Sequence, residues 1–267
     1  MATDQEWASS LVLLFDPLTK LSPRLFYPLS ERWFKMCGKE PNRVSFLWPG
    51  PTVQTVTFKR AQKTLKSDDI EKADWISFFT IPAGSRDNND EKCVAALSSF
   101  ESEIDFRSDF TNVREDWISI AKDMLVLGQI QYGYFFKLPA KLAPGTYAGG
   151  AIFSYAGDDA PPHEEELRSR WHQAMVEYSD RPRTTLLRQV YSLQILSKEH
   201  LALKIGRQSL SAWIKASAKH GVLQEIAPKL WAWTFDNKND IYAANMALLK
   251  AKLLAAWDPK HASDLVQ

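Results

Sequence analysis

Cysteine is scarce in this chain, and so are long apolar runs. Only Cys37 and Cys93 occur among the 267 residues, which is too few for the disulfide framework that staples small secreted domains. The first residues are polar and acidic, without the basic start and apolar core of a signal peptide. The longest apolar run near them, Leu11–Phe15, is too short to cross a bilayer. These features predict a soluble protein of the reducing cytoplasm with two thiols and no disulfide.

An excess of charge of either sign is also missing. Lys and Arg number 33 and Asp and Glu number 32, which gives a formal net charge of +1. The whole chain therefore has no electrostatic drive towards nucleic acid or an anionic membrane, although a local patch of either sign is compatible with this balance. With 45% hydrophobic residues, the composition is that of a globular protein, long enough for one large domain or two small ones.

The familiar motifs of catalysis and phosphate binding are absent from the sequence. There is no Gly-x-Ser-x-Gly nucleophile elbow, no P-loop and no Gly-x-Gly-x-x-Gly fingerprint. A triad assembled from distant residues stays open, because triads have no fixed order along a chain. The histidines lack the acidic or cysteine partners at the spacing of a zinc site; they are His163, His172, His200, His220 and His261. We therefore expect that the protein is not an enzyme and that it has neither a cofactor nor a metal site. The histidines are expected to have structural or surface roles.

One group of carboxylates allows a different interpretation. Glu101, Glu103 and Asp105 alternate along a predicted strand, which would place them on one face. Followed by Arg107, they are compatible with a metal-dependent hydrolase, in which carboxylates converge on a divalent ion. The lysine expected beside such a site is missing, so a charged edge strand that faces solvent is the preferred interpretation.

Two acidic clusters are candidate partner-binding surfaces. Either could attract a basic protein, as a mimic of nucleic acid would, although carboxylates in the first turn of a helix also favour its dipole without any partner. The candidate residues are Asp87, Asp90 and Glu91 in one cluster, and Asp158, Asp159, Glu164, Glu165 and Glu166 in the other.

The order of the predicted elements indicates an α+β protein. Short apolar or alternating runs predict strands, among them Leu187–Leu196 and Leu223–Phe235 in the last third of the chain. Ser22-Pro23 and Ser209 are typical of helix starts. We expect mainly antiparallel sheets with helices packed on one face, in two loosely similar α/β halves. The loop-like stretch that begins at Pro139 places the boundary between the halves, so that they span 1–138 and 139–267 and could also form one continuous domain.

The closing third, Leu187–Trp257, has the clearest pattern of alternating strands and helices. Its motifs are Leu187-Arg188-x-Val190-Tyr191, Leu196-Ser197-x-x-His200-Leu201, Gly206-x-x-Ser209-Leu210-x-x-Trp213-Ile214, Gly221-x-Leu223 and Leu230-Trp231-x-Trp233. These motifs resemble the immunity proteins of bacterial type VI secretion and polymorphic toxin systems, in particular immunity protein family 52. The resemblance covers residues 185–257 well and the earlier part only in the order of its elements.

The resemblance implies a function without catalysis. Members of this family are usually encoded beside toxins that carry a restriction-endonuclease-like nuclease domain. The implied protein is a cytoplasmic antitoxin that binds a cognate toxin protein and blocks its active site, with no direct contact to nucleic acid or membrane. No toxin-contact residue carries over, because the family has no contact motif to match here. The alternatives are the metal-dependent hydrolase and an adaptor protein of the secretion apparatus.

Overall fold

The chain divides into two compact units, each built around antiparallel strands. The computed structural model describes residues 7–85, 91–108, 114–139, 147, 162–177 and 182–260. The N-terminal unit is Ala8–Gln129, and the C-terminal unit is Ile130–Gln267 together with Met1–Trp7. The predicted boundary after residue 138 falls inside a strand of the C-terminal unit, and the division of the chain into two halves there stays a prediction.

The N-terminal unit is built on antiparallel strands that lie in the order β1-β6-β5-β4-β2-β3. The strands are β1 (Trp7–Phe15), β2 (Arg43–Leu47), β3 (Val53–Thr57), β4 (Trp75–Phe79), β5 (Cys93–Ser98) and β6 (Glu103–Ser108). The prediction of an edge strand near Glu103 is wrong, because β6 lies between β1 and β5. Phe106 of β6 pairs with Leu11 on one side and with Ala95 on the other.

The first helix of the N-terminal unit begins at the cap that the sequence predicts, and two further helices follow it. The helices are α1 (Pro23–Met36), α2 (Phe58–Leu65) and α3 (Arg114–Asp123), with 3-10 turns at Asp68–Lys72 and Met124–Val126. The Ser22 hydroxyl accepts a hydrogen bond from the Leu25 N–H at 3.2 Å and caps α1. Gly38 follows this helix with a φ of +62°, a left-handed conformation that glycine adopts at little cost.

Aromatic side chains join the helices of the N-terminal unit to one face of its strands. The Phe26 ring of α1 lies 6.2 Å from Phe78 of β4 and 6.0 Å from Phe106 of β6, measured between centroids. Trp33 of α1 lies 4.9 Å from Trp117 of α3. Such tilted ring pairs add about 0.5–1.5 kcal/mol each beyond the area they bury. This contact layer fixes α1 and α3 against the strands.

The C-terminal unit contains further antiparallel strands, in the order β7-β8-β12-β11. These strands are β7 (Ile130–Pro139), β8 (Leu193–Ser197), β11 (Val222–Ala227) and β12 (Leu230–Thr234), and a separate hairpin pairs β9 (Lys204–Ile205) with β10 (Gln208–Ser209). The sequence predicts one strand over Leu223–Phe235, whereas the structure has a hairpin there. Pro228 and Lys229 form its turn.

The C-terminal unit has five described α-helices, besides a 3-10 turn at Ala218–His220. They are α4 (Pro162–Glu177), α5 (Pro182–Thr185), α6 (Lys198–Ala202), α7 (Leu210–Lys215) and α8 (Lys238–Lys250). The Ser209 hydroxyl caps α7 by accepting from the Ala212 N–H at 3.1 Å, as the sequence predicts. The predicted strand from Leu187 begins only at Leu193, because the preceding residues run through the core as a buried, irregular segment.

The predicted α+β class with mainly antiparallel sheets is confirmed, since every described strand pair within each unit is antiparallel. Cys37 and Cys93 are both buried and are not joined in a disulfide. Within the described residues, no helix combines the length and apolar character that a membrane span requires.

Candidate functional site

The first predicted acidic cluster lies mostly outside the described residues. Asp87 and Asp90 are not described, and only Glu91 can be placed. Its carboxylate lies 3.4 Å from the Arg107 guanidinium, which also lies 2.7 Å from the Asp105 carboxylate. Glu91, Asp105 and Arg107 therefore form a charged triad in which one cation serves two carboxylates.

Burial dominates the electrostatics of the two carboxyl groups in this charged triad. It raises the pKa of the Asp105 carboxyl to about 6, although the neighbouring guanidinium acts to lower it. Burial likewise raises the pKa of Glu91, against the lowering effect of Arg107. Glu91 and Arg107 keep about a fifth of their side-chain surface exposed, at 23% and 20%. The triad is thus a partly covered ion network, and Asp105 holds its proton more tightly than an exposed aspartate would.

The carboxylates of the hydrolase hypothesis do not share the expected face. Glu101 lies in the turn before β6 and is exposed, whereas Glu103 and Asp105 lie on the strand itself. Asp105 is committed to Arg107. Among the described residues, no group of three or more His, Cys, Asp and Glu side chains is placed to hold a metal ion. The geometry gives the hydrolase hypothesis no support.

The second predicted acidic cluster is described only in part. Asp158 and Asp159 lie outside the described residues, as does the side chain of Glu164. Glu165 and Glu166 lie in the first turns of α4 and are exposed. Glu166 pairs with Arg170 one turn further along the helix, an exposed contact of a kind worth about 0.3–0.5 kcal/mol. The described part of this cluster is an accessible acidic helix surface.

A buried arginine surrounded by aromatic rings lies in the core of the C-terminal unit. Arg188 is 1% exposed. Its guanidinium donates to the Tyr134 hydroxyl at 3.2 Å and to the carbonyl of Tyr147, and lies 3.8 Å from the centroid of the Tyr147 ring. Trp171 and Tyr191 complete what we call the Arg188 cluster.

The Arg188 cluster fixes the irregular segment that precedes β8. The Tyr132 hydroxyl accepts from the backbone N–H of Arg188 at 3.2 Å and donates to Gln194 at 2.9 Å. The Asn245 side chain accepts from the Val190 N–H at 2.7 Å and donates to the Val190 carbonyl at 3.0 Å. Side chains thus replace the sheet partners that a strand here would have used.

The titration properties of the Arg188 cluster suit a permanent structural cation. Burial raises the pKa of Tyr132 and Tyr191 well above the ordinary tyrosine value, so both hydroxyls stay protonated. Burial opposes the charge of Arg188, but Tyr191, Tyr147 and Tyr134 favour it, and the pKa of Arg188 is raised on balance. An arginine this deeply buried cannot reach a partner, so it acts on the fold.

Two of the histidines have the structural roles that the sequence predicts. His200 is fully buried, with its Nδ1 3.1 Å from the Ser197 hydroxyl and its Nε2 3.3 Å from the Leu186 carbonyl. Burial lowers the pKa of His200 to about 4, so the ring is neutral at pH 7. His220 stacks on Trp213 at a centroid distance of 3.8 Å. Both rings serve local packing.

Exposed basic residues are a feature that the overall charge balance conceals. Residues 182–260 contain twelve Lys and Arg against five Asp and Glu, and of these twelve Arg183 and Arg188 are buried. In the N-terminal unit, α2 and the residue after it expose four cations, Lys59, Arg60, Lys63 and Lys66. A count of charges along short stretches of the chain, instead of one total, would have found both regions. Basic surfaces are therefore as available to a partner as the acidic ones that the sequence predicts.

Comparisons with known proteins bear on the fold of this chain. No protein-family model matches the chain, and no curated protein sequence matches it. Among solved structures, the chain is similar to the type VI secretion system (T6SS) protein PA0821 of Pseudomonas aeruginosa, with a TM-score of 0.53 and 12% sequence identity. The match covers 93% of this chain and 73% of that protein. At this identity the likeness is one of fold, so the chain shares its overall fold with a protein of the T6SS.

Proposed function

We propose that this protein is an immunity protein, a binding protein that neutralises a cognate toxin of a type VI secretion or polymorphic toxin system. The observation that carries the proposal is the fold likeness to a T6SS protein over 93% of the chain. The resemblance of the closing third to immunity protein family 52 motivates the antitoxin role, although no family model matches the chain. The toxin class that this resemblance implies is a nuclease, blocked at its active site in the cytoplasm.

Such an antitoxin must bind its toxin tightly and associate with it quickly, and it needs no catalytic activity of its own. Buried aromatic and arginine anchors supply affinity at an interface, and complementary charge speeds encounter. The exposed carboxylates Glu165 and Glu166 offer one charged surface, and the four α2 cations offer another of opposite sign. The Arg188 cluster would contribute indirectly, by keeping the C-terminal scaffold rigid before the toxin arrives.

A growth assay tests the proposal. The reading frame beside this gene would be expressed from an inducible promoter, with and without the full-length protein. We expect arrest of growth in its absence, recovery in its presence, and a stable complex when both products are purified together. Continued arrest despite a soluble, folded protein would contradict the proposal.

The control for this assay is the Arg188→Lys variant, expressed at a temperature at which circular dichroism shows it folded. Because Arg188 is buried and away from any partner, a folded variant should still rescue growth. The hydrolase alternative predicts instead that Mg²⁺ or Mn²⁺ binds the full-length protein in calorimetry and that Asp105→Ala abolishes this binding. The adaptor alternative predicts co-purification with parts of the secretion apparatus in place of a toxin.

A further inference from the structure

β3 ends the strand order of the N-terminal unit, and its outer edge pairs with no described strand. Its five residues, Val53–Thr57, contain no charge and no proline, and their pairing with β2 is regular from end to end. Val53 is 53% exposed. Natural sheet edges are usually blunted by charged residues, prolines or bulges, and an edge without these devices is a ready template for another strand.

The backbone groups of β3 alternate between its partner strand and the outside. The Phe58 N–H donates to the Asn42 carbonyl at 3.1 Å. The neighbouring partners along the ladder, Arg43 and Thr57, therefore form a pair that is not hydrogen-bonded to each other. In an antiparallel ladder this places the hydrogen-bonding groups of every second residue towards β2. The N–H groups of Val53, Thr55 and Thr57 and the C=O groups of Val53 and Thr55 therefore point away from the sheet, spaced to receive an added strand. The Thr57 carbonyl instead accepts within α2, because Thr57 is the N-cap of that helix.

The edge strand of the C-terminal unit provides a contrast. β11 carries Glu225 in its middle, and its register with β12 shifts between Glu225 and Ala227. A charge and a bulge are the features that discourage strand addition. β11 is thus protected in the usual way and β3 is not.

A stripe of exposed cations lies next to this open edge. The Thr57 hydroxyl at the end of β3 caps α2 by accepting from the Arg60 N–H at 3.3 Å, so the helix starts where the strand stops. Ala61 and Leu65 are buried, whereas the four α2 cations are exposed. None of these cations forms an ion pair with a described residue. Their charges are available to a partner of opposite sign.

We propose that β3 and α2 together bind an extended acidic segment of a partner protein, which adds to the sheet as a strand while its carboxylates face the α2 cations. The backbone edge supplies the hydrogen bonds of strand addition, and the cations supply charge complementarity. The inference goes beyond the proposed function and does not depend on it, because the same surface would serve any partner of this chemistry.

A peptide titration of the ¹⁵N-labelled full-length protein tests the inference. The probe is a synthetic peptide with alternating Thr and Val followed by four Glu residues. We expect shifts of the Val53, Thr55 and Thr57 amide signals and slower hydrogen exchange at these three amides. The matched control is the same peptide N-methylated at alternate residues, which keeps its charge and loses strand pairing. Equal binding of both peptides would overturn the inference.

Charge reversal on the protein provides a second test of the inference. Lys59→Glu, Lys63→Glu and Lys66→Glu together should weaken the peptide at least about tenfold at low salt. The reversal of Lys215, Lys219 and Lys238 in the C-terminal unit is the matched control and should leave the affinity unchanged. Equal loss in both variants, no binding at all, or equal competition by a single-stranded oligonucleotide would each refute a strand-adding acidic partner. No toxin takes part, so these outcomes are separate from those of the growth assay.

Discussion

The guanidinium of Arg188 shares the core of the C-terminal unit with tyrosine rings. Its donors reach a hydroxyl and a carbonyl, and its flat group lies over the Tyr147 ring. Only arginine combines a planar charge, several donors in a fixed fork and the ability to stack on an aromatic ring. The site therefore selects the residue type and not merely a positive charge.

Replacement of Arg188 should separate these contributions. We expect Arg188→Lys to lower the free energy of unfolding by about 2–4 kcal/mol, because a compact ammonium must be buried without the stacking and with fewer donors. Arg188→Met keeps much of the volume and buries no charge, so it should cost less than the lysine variant. Urea denaturation followed by circular dichroism measures both values. A lysine variant as stable as the parent would show that charge alone is required.

His200 gives the C-terminal unit a defined response to acid. Its pKa is about 4 in the folded chain and about 6.5 in an unfolded one. Between these pH values His200 is protonated in the unfolded chain and neutral in the folded chain. The free energy of unfolding is therefore highest above pH 6.5 and falls as the pH drops towards 4. The loss approaches about 3 kcal/mol, and denaturation at a series of pH values should reveal it.

The neutral variant His200→Gln is the control for this acid response. It should be less stable at pH 7, because the ring packs against Tyr132, but it should lose this part of the pH dependence. Asp105 acts in the opposite direction in the N-terminal unit, since its pKa is raised to about 6 and stability there grows as the pH falls from 6 to about 3.8. Asp105→Asn removes that opposing effect. An unchanged slope in His200→Gln would refute the assignment.

Among the elements, the turn between β11 and β12 has a sequence that does not match its backbone. Lys229 has a φ of +66° and follows Pro228, the arrangement of a type II turn, which favours glycine at this position. A side chain in the left-handed region costs about 1–2 kcal/mol. The absence of glycine also explains why the sequence predicts one strand here instead of a hairpin.

Lys229→Gly should therefore stabilise the protein. We expect a gain of up to about 1 kcal/mol, after the greater flexibility of glycine in the unfolded chain is deducted. A rise in Tm by differential scanning calorimetry would show it. Lys229→Ala is the matched control, because it removes the charge and retains the Cβ atom. If alanine stabilises as much as glycine, charge and not backbone strain is the cause.

Two helix starts are predictable from their capping serines, whereas several other elements are missed or misplaced. Ser22-Pro23 and Ser209 correctly indicate the starts of α1 and α7. β5 escapes prediction because Cys93–Ser98 is buried on both faces and so lacks alternation. The segment before β8 is predicted as a strand because of its apolar residues, and these residues are buried in the structure. Its partners, however, are side chains such as Tyr132 and Asn245, which are distant in sequence.

The candidate site is less predictable than the fold for the same reason. The sequence shows which residues carry charge, but pairing in space decides which charges remain available. Glu91 is predicted as a partner-binding carboxylate, and the structure gives it Arg107 as an intramolecular partner. The α2 cations escape notice in the sequence because the helix itself is not predicted. Whether the acidic clusters bind a partner stays a prediction.

On the scale of the whole molecule, the net charge of +1 is the sum of separate acidic and basic regions. The association rate of an antitoxin with its toxin depends on such regions and not on the sum. Reversal of Glu164, Glu165 and Glu166 to lysine should slow association with the toxin, most strongly at low salt, if α4 faces the partner. Biolayer interferometry at several salt concentrations measures the rate.

The control for the α4 reversal is a change of Glu31 and Glu225 to lysine, which alters exposed carboxylates elsewhere in the chain. An unchanged rate in the α4 variant would remove that helix from the interface. Slowing in the control as well would point to a diffuse effect of net charge. Faster association after either reversal would indicate an acidic toxin surface, in line with the basic regions.

The close approach of Trp33 and Trp117, 4.9 Å apart and tilted by 45°, has an optical consequence. Two indole chromophores this near exchange excitation, and their coupled transitions give a paired positive and negative band in circular dichroism. Both rings belong to the N-terminal unit, one on α1 and one on α3. Trp213 and Trp233 form a second indole pair, 6.4 Å apart, in the C-terminal unit, so the difference between the spectra of the parent and of Trp33→Phe isolates the N-terminal couplet. The unfolding of one unit can thus be followed in the intact, unlabelled chain.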